Sequence, residues 1–209
     1  MPPNILIYSC KSYSIHIRMI GLRGRKVKGW AIWITGLPGS GKSIVANKLW
    51  KVLFRMGVNS QIISSDALRR FLTPKPTYSE EEREMVYGAI AYIAKTLTDN
   101  GVNVIIDATG NRRRYRAMCR RMIDKFFEVY LRCPLEVCIQ REMARKERFY
   151  APRNIYGKAM RGESTTVPGF GVPYEAPRRP EVLIESDRQK PDEIVETIIG
   201  KLSNVLRRT

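Results

Sequence analysis

Residues 30–43, with the sequence WAIWITGLPGSGKS, decide how the chain folds. An apolar run ends in the pattern Gly-x-x-x-x-Gly-Lys-Ser, and residues 44–54 then repeat apolar side chains at helical spacing. A strand, a glycine-rich turn and a helix in this order form the phosphate-binding P-loop. An ordinary glycine turn before a helix is the alternative, but the pattern together with its two flanks favours nucleotide binding.

The residues of the P-loop have predicted roles in binding ATP. The glycines leave room for backbone N–H groups to surround a polyphosphate, and the helix adds its free N–H groups and its positive dipole end. The Lys42 side chain can reach the β- and γ-phosphates, and the Ser43 hydroxyl is a ligand for Mg²⁺. The predicted ATP-binding residues are Gly36, Leu37, Pro38, Gly39, Ser40, Gly41, Lys42 and Ser43.

The composition is that of a globular protein. A chain of 209 residues with 44% hydrophobic residues is most simply one domain. No apolar run approaches the roughly 20 residues of a membrane span, so we expect a soluble, cytoplasmic protein without a membrane partner. The single histidine, His16, lies outside the predicted core domain, which argues against a histidine base or a histidine-bound metal. Four cysteines without paired spacing indicate reduced, mostly buried thiols.

The formal charge of +17 has two interpretations. It is compatible with a nucleic-acid partner, and equally with attraction of polyanionic small substrates by a solvated basic surface. Many of the arginines fall in segments that a nucleotide kinase uses in any case. We therefore favour a small-molecule acceptor and keep nucleic acid as a possible partner.

Residues 1–28 form a basic extension with short, interrupted apolar pieces. A targeting peptide, an edge strand and a disordered arm are all compatible with this pattern, as is a shorter chain that begins at Met19. The kinase domain is predicted to occupy residues 29–209.

Apolar runs alternate with helical patterns along the rest of the chain. This alternation predicts an α/β fold, with a parallel sheet covered by helices on both faces. The predicted strands are 30–35, 61–64, 102–106, 127–132 and 182–185. The predicted helices are 42–55, a long helix with a capping box formed by Ser79 and Glu82, 112–124, 135–144, and a C-terminal helix carrying Ile194, Ile198, Leu202 and Val205.

Three of the predicted strands end in residues suited to phosphate chemistry. Gly36, Asp66 and Asp107 follow the first, second and third strands, and ligands of parallel sheets bind at the carboxyl ends of strands. Asp107 can support Mg²⁺ together with Ser43, or it can start a turn or cap the next helix. Asp66 can orient or deprotonate an acceptor hydroxyl, or it can cap a helix that begins at Ala67.

The segment 144–180, rich in Arg, Pro and Gly, has no sustained periodicity and is predicted to be a lid. One arginine closing on a transferring phosphoryl group can raise the rate by ~10³-fold or more. Arg141, as a catalytic residue, and Lys158 are the residues that we expect to contact phosphate, whereas a solvated helix face explains most of the other charges. The basic residues considered are Arg141, Arg145, Arg148, Arg153, Lys158 and Arg161.

Over nearly all of residues 28–205 the chain resembles the adenylylsulfate kinase (APS kinase) family. The approach to the P-loop, residues 28–37, is similar to that of the family, and Asp66-Ala67-Leu68-Arg69 looks like its Asp-x-x-Arg motif. The later matches are Tyr78-Ser79-Glu80-Glu81-Glu82-Arg83, Pro134-Leu135-Glu136-Val137-Cys138, Ile155-Tyr156-Gly157-Lys158-Ala159, Gly162-Glu163 and Pro173-Tyr174-Glu175-Ala176-Pro177. The last of these is the most specific, since other P-loop kinases have no reason to carry it.

The resemblance implies ATP-dependent phosphorylation of the 3′-hydroxyl of adenosine 5′-phosphosulfate, and it suggests a homodimer. Asp66 would then approach the hydroxyl, Arg69 and Arg83 would hold the phosphosulfate, and Tyr78 would stack near the adenine. Lys158 and Phe170 would close over the substrate from the lid.

Three features depart from the family pattern. Residues 107–112, DATGNR, replace its Ser-Pro segment, Val86 stands where the family usually has a substrate-contacting asparagine, and extra residues lie between Arg141 and Ile155. The DATGNR segment instead resembles kinases that act on polynucleotide ends or on seryl-tRNA, which is the alternative function. A non-catalytic nucleotide-dependent regulatory protein is a third possibility, although such a protein has no use for an acceptor pocket.

Overall fold

The computed structural model describes residues 27–145 and 150–206 and contains a five-stranded parallel sheet between two layers of helices. The order of the strands is β2-β3-β1-β4-β5. The strands are β1 (Ala31–Thr35), β2 (Ser60–Ser64), β3 (Asn103–Asp107), β4 (Phe126–Arg132) and β5 (Val182–Glu185). The helices are α1 (Lys42–Arg55), α2 (Ser65–Leu72), α3 (Glu80–Asp99), α4 (Arg113–Met122), α5 (Leu135–Met143), α6 (Ile155–Met160) and α7 (Pro191–Leu206). The predicted α/β fold is confirmed.

Some sequence-based expectations fall on residues outside the described ranges. These are the interpretations of residues 1–26, including the alternative start at Met19, and the part of the predicted lid that contains Arg148. Within the described ranges, no helix has both the length and the apolar character needed to cross a membrane. Three of the cysteines, Cys119, Cys133 and Cys138, are buried and free, as expected.

The central strand β1 supplies both halves of the core. Ile32 and Ile34 face a cluster that includes α1 and α7, whereas Ala31 and Trp33 face a cluster that includes α3 and α4. Both faces of β1 are therefore buried, which explains why its sequence is apolar throughout instead of alternating. Trp33 also donates a hydrogen bond from Nε1 to the Ala108 carbonyl 2.8 Å away, so that its polar atom is satisfied inside the core.

The helix starts agree in part with the predictions. Ser79 accepts a hydrogen bond from the Glu82 N–H, as a capping box requires, but the Glu82 carboxylate accepts from the Thr77 and Tyr78 N–H groups instead of from Ser79. The cap of α2 is Ser64, and Asp66 lies in the first helical turn. The suggestion that Asp66 is the N-cap was therefore wrong, because the helix begins two residues earlier than expected.

The basic residues of α4 are used largely inside the protein. Arg116, only 2% exposed, pairs with the buried Glu128 of β4 and donates to the carbonyls of Gly110 and Glu175. Arg120, on the next turn of the helix, pairs with Glu128 and Glu181. These contacts join α4 to β4 and to the residues that precede β5.

Replacing Arg116 by alanine should lower the free energy of unfolding by about 3–5 kcal/mol, because the substitution leaves the Glu128 charge buried without its main partner. Denaturant unfolding measures this change. The matched control is Arg121→Ala on the same helix, where the side chain is exposed and forms no ion pair with the described residues. The control should change stability by about 0.5 kcal/mol or less, and equal losses in the two variants would contradict the role of Arg116.

Candidate active site

A cavity of about 790 Å³ opens at the carboxyl edge of the sheet. It lies where the P-loop leaves β1, with the ends of β2 and β3 on one side and the residues after β5 on the other. Parallel sheets bind ligands at such an edge, where the connections of neighbouring strands diverge. The cavity therefore has the position expected of an active site in this fold.

The P-loop takes a conformation that depends on glycine. Gly39 and Gly41 have φ angles of 87° and 97°, in the left-handed region that side chains rarely adopt. A Cβ atom on Gly39 would lie 2.2 Å from the Cys138 carbonyl oxygen, so that the loop packs directly on the backbone of α5. Helix α1 begins after Gly41 with no side-chain cap and no acidic residue in its first turn. Its free N–H groups can therefore receive an anion.

Lys42 is buried at the inner end of this loop. Its side chain is 9% exposed, and Nζ donates a hydrogen bond to the Leu37 carbonyl 2.9 Å away. Burial lowers the pKa of Lys42, while the negative charges of Asp107 and Asp66 oppose that shift. The lysine therefore faces both acidic residues that the sequence placed at strand ends.

Asp107 is buried beside the start of α1. Its exposed fraction is 7%, and the Ser43 side chain at the start of α1 favours its ionised form. Burial raises the pKa of Asp107, and the positive charge of Lys42 and hydrogen bonding by Ser43 oppose that rise. In the described residues no group of three or more His, Cys, Asp or Glu side chains could hold a metal. The Ser43–Asp107 pair suits Mg²⁺, which keeps several waters and binds through few protein oxygens plus phosphates.

A second group of side chains forms the opposite part of the cavity. Asp66 is partly buried, and burial raises its pKa against the attraction of Lys42 and Arg69. The guanidinium of Arg69 pairs with Glu82 and lies 4.7 Å from the centre of the Tyr78 ring. Tyr78 itself has a φ angle of 57°. Such strain in a non-glycine residue is concentrated at functional sites.

Arg83 is held in place by three hydrogen bonds. It donates to the carbonyl of Tyr78 at 3.0 Å, to Asn111 Oδ1 at 3.3 Å and to the carbonyl of Thr166 at 2.6 Å. Asn111, 1% exposed, also donates to the Pro173 carbonyl at 3.2 Å. This buried asparagine therefore fixes Arg83 relative to the segment 173–177. Asn111 lies in the DATGNR segment that departs from the family pattern, and no role was predicted for it.

Most of the predicted site residues come together in this one cavity. Its lining includes Pro38, Gly39, Ser40, Gly41, Lys42, Ser43, Asp66, Arg69, Tyr78, Arg83, Asp107, Arg141 and Lys158. Gly36, Leu37 and Phe170 are described by the structure but do not line the cavity, and Phe170 is 46% exposed. The individual roles assigned to these residues stay predictions.

Part of the predicted lid is tied to the rest of the domain. The Tyr156 hydroxyl of α6 donates to the Pro38 carbonyl at 2.9 Å, and the Tyr174 hydroxyl lies 2.9 Å from the Thr35 hydroxyl. The short helix α6 was not predicted, because six residues are too few to establish a period. Side chains between residues 151 and 168 contribute to the wall of the cavity, and the motion of the segment 144–180 as a lid stays a prediction.

Replacing Gly39 by alanine should weaken ATP binding by about tenfold or more, since 1.4 kcal/mol of misfit is enough for that loss. The added methyl group would strike the Cys138 carbonyl and push the loop away from α5. The control is Gly57→Ala, which has a φ angle of 74° but no atom within 4 Å of its Cβ. Titration with ATP compares the two, and an unchanged dissociation constant in Gly39→Ala would refute the close contact.

Replacing Asp107 by asparagine should raise the melting temperature at pH 7. Because the folded-state pKa is raised, folding is opposed by the ionised carboxylate above the usual aspartate pKa of ~3.9. That penalty grows as pH rises from ~3.9 through the folded-state pKa and is constant above it. The gain in Asp107→Asn should therefore shrink as pH falls toward 4 in thermal unfolding.

The exposed Asp124 is the control for this change, because its ion pair with Lys28 lowers its pKa. Asp124→Asn should show no gain in melting temperature at pH 7. A lower melting temperature in Asp107→Asn than in the parent protein would show that ionised Asp107 does not oppose folding.

Comparison with known proteins places the chain in a family. Residues 28–185 match the family described as adenylylsulphate kinase. A probable adenylyl-sulfate kinase from Pyrococcus abyssi is 40% identical over 175 residues, which cover 84% of this chain and 95% of the relative. One from Bacillus subtilis is 35% identical over 179 residues, or 85% of either chain.

A solved structure gives the same result. The APS kinase of Mycobacterium tuberculosis, in complex with AMPPNP and APS, superposes with a TM-score of 0.75 at 29% identity and covers 84% of this chain and 98% of its own. The resemblance found in the sequence is confirmed, and the chain belongs to the adenylylsulphate kinase family.

Proposed function

We propose that the protein transfers the γ-phosphoryl group of ATP to the 3′-hydroxyl of adenosine 5′-phosphosulfate and forms ADP and 3′-phosphoadenylyl sulfate. The main support is one cavity that is lined by the P-loop lysine, by Asp66 and by the two arginines around Tyr78. The family and the APS-bound relative point to the same pair of substrates.

The P-loop side of the cavity suits ATP. Backbone N–H groups at the start of α1 and the Lys42 ammonium would surround the phosphates, and Ser43 with Asp107 would hold Mg²⁺. When bound, Mg²⁺ supplies positive charge that neutralises the β- and γ-phosphates. Arg141, whose guanidinium donates to the Ser186 carbonyl at 3.0 Å, is assigned to the same side as a phosphate contact.

Asp66 is assigned to the acceptor hydroxyl. A carboxylate with a raised pKa is a better proton acceptor at neutral pH than an ordinary one, since general bases work best with a pKa near the operating pH. The proton of the 3′-hydroxyl would move to Asp66 while the 3′-oxygen bonds to the γ-phosphorus. The bond from that phosphorus to the β,γ-bridging oxygen breaks, and ADP leaves with the electron pair.

The remaining residues are assigned to binding of the sulfated nucleotide. Arg69 and Arg83 bring two guanidinium groups to the pocket around Tyr78 and are assigned to the phosphosulfate. Tyr78 would stack near the adenine. Lys158 and Phe170 are assigned to closure from the lid segment 144–180.

The cellular setting follows from this chemistry. A kinase that uses ATP and Mg²⁺ belongs in the cytoplasm, and we assign the protein there. The family resemblance suggests a homodimer, with residues 1–28 as a basic extension to a kinase domain at 29–209.

An acceptor panel with radiolabelled ATP tests the proposed reaction. ADP should form with adenosine 5′-phosphosulfate and not with its 3′-deoxy analogue, which has no hydroxyl at the reacting position. Transfer only to RNA ends or to seryl-tRNA would move the function to nucleic-acid phosphorylation. Hydrolysis that no acceptor changes would indicate a regulatory protein, and Lys42→Ala serves as the inactive control.

Asp66→Asn should lower kcat by about 10²-fold or more while ATP affinity changes little, because proton acceptance is worth that much and Asp66 is assigned to the acceptor. Steady-state kinetics with separate ATP titration measure the two quantities, with the exposed Asp124→Asn as the control. Equal losses in kcat and in ATP affinity would return Asp66 to a structural role.

A further inference from the structure

The end of α5 brings a second arginine to the active-site cavity. The helix crosses the P-loop at Cys138, whose carbonyl contacts Gly39, and its last residues turn toward the cavity. Arg141 lies in the last turn of α5, and Arg145 follows the end of that helix by two residues. Both line the cavity, and the Arg145 N–H closes the last turn by donating to the Glu142 carbonyl at 3.3 Å.

The two arginines differ in what holds their side chains. The Arg141 guanidinium donates to the Ser186 carbonyl at 3.0 Å and approaches the Cys133 sulfur at 3.8 Å, which fixes it toward the residues after β5. The Arg145 side chain makes no hydrogen bond and no ion pair with residues 27–145 or 150–206. Of these two cavity-lining arginines, Arg145 is thus the one whose guanidinium lacks anchoring contacts among the described residues.

The charges that Arg145 faces are those of the reaction centre. Burial is the main cause of the shifted pKa values of Lys42, Asp66 and Asp107, and Arg145 contributes to all three. Burial likewise raises the pKa of the Cys138 thiol to about 12, and there Lys42 and then Arg141 oppose the rise. Arg145 thus acts on the lysine, the acceptor-side acid and the metal-side acid together.

We propose that Arg145 is a catalytic residue that contacts the γ-phosphoryl group during transfer. This inference rests on the proposed function. A guanidinium can donate two parallel hydrogen bonds to phosphoryl oxygens, and donors aimed at developing charge stabilise a transition state. Arg145 keeps its proton throughout: the 3′-oxygen-to-phosphorus bond forms, the bond to the bridging oxygen of ADP breaks, and Asp66 receives the hydroxyl proton.

The position of Arg145 makes this contact a feature of the present chain. It lies between Arg141 and Ile155, in the stretch where the sequence carries more residues than the family pattern.

Three variants test the assignment in the full-length protein: Arg145→Ala, Arg145→Lys and, as a control on α4 outside the cavity lining, Arg121→Ala. Arg145→Ala should lower kcat with adenosine 5′-phosphosulfate by about 10³-fold, the effect typical of an arginine that stabilises a transferring phosphoryl group. The dissociation constant of ATP should change by less than about threefold, which is under 1 kcal/mol. Arg145→Lys should recover part of the loss, and Arg121→Ala should match the parent protein.

Guanidinium rescue separates a chemical role from a structural one. Millimolar guanidinium chloride should restore part of the activity of Arg145→Ala and none of that of Lys42→Ala. A parent protein that transfers phosphate normally while Arg145→Ala keeps kcat within threefold would overturn the inference. A loss confined to ATP affinity, or a loss that guanidinium does not reduce, would also overturn it.

A binding measurement keeps the inference separate from the identity of the acceptor. ADP with aluminium fluoride imitates the transferring phosphoryl group and requires no acceptor turnover. Arg145→Ala should bind this complex about 100-fold more weakly than the parent protein does, while ADP alone binds within threefold, a difference of nearly 3 kcal/mol. If the parent protein fails to use adenosine 5′-phosphosulfate but shows this difference, the proposed function fails and Arg145 retains its role. Equal affinity in both proteins would refute the role of Arg145.

Discussion

Side chains of opposite charge are buried at one edge of the sheet. Their burial is the constraint on which the rest of the structure depends. Lys42 and Asp107 are buried, Asp66 is partly buried, and burial shifts the pKa of each toward its neutral form. Buried charges cost folding free energy unless they are paired and hydrogen-bonded. The site therefore needs a stable scaffold and close mutual contacts among its charged groups.

The scaffold meets this need through two separate apolar clusters and internal ion pairs. Each face of β1 is covered by helices, so the strand that carries the P-loop is fixed from both sides. Arg116 of α4 pairs with Glu128 of β4, and Asn111 connects Arg83 to the segment before β5. Several arginines near the sheet thus have partners inside the protein, while the net charge of +17 already counts those acidic partners and is unchanged by the pairing.

The sequence predicted the fold and a set of site residues, most of which line the cavity, because these features depend on local patterns. The pattern Gly-x-x-x-x-Gly-Lys-Ser sets the start of α1, and the predicted range 42–55 matches Lys42–Arg55. Pairings between distant side chains carry no such local signal. The partnership of Arg69 with Glu82 and the position of Asn111 depend on how α2, α3 and the loop after β3 pack. The sequence shows that Arg141 and Arg145 are four residues apart, but only the packing of α5 in the structure places both at the cavity.

The packing of α7 on α1 has a consequence for the folding of the chain during its synthesis. The buried face of α1 packs with Ile194, Ile198 and Leu202 of α7, and Lys48 of α1 pairs with Asp192 at 2.6 Å. Helix α7 follows α1 by four strands and the helices between them, so a nascent chain exposes the apolar face of α1 until residues 191–206 have left the ribosome. The helix that carries the nucleotide cradle is therefore covered only after that later segment can pack against it.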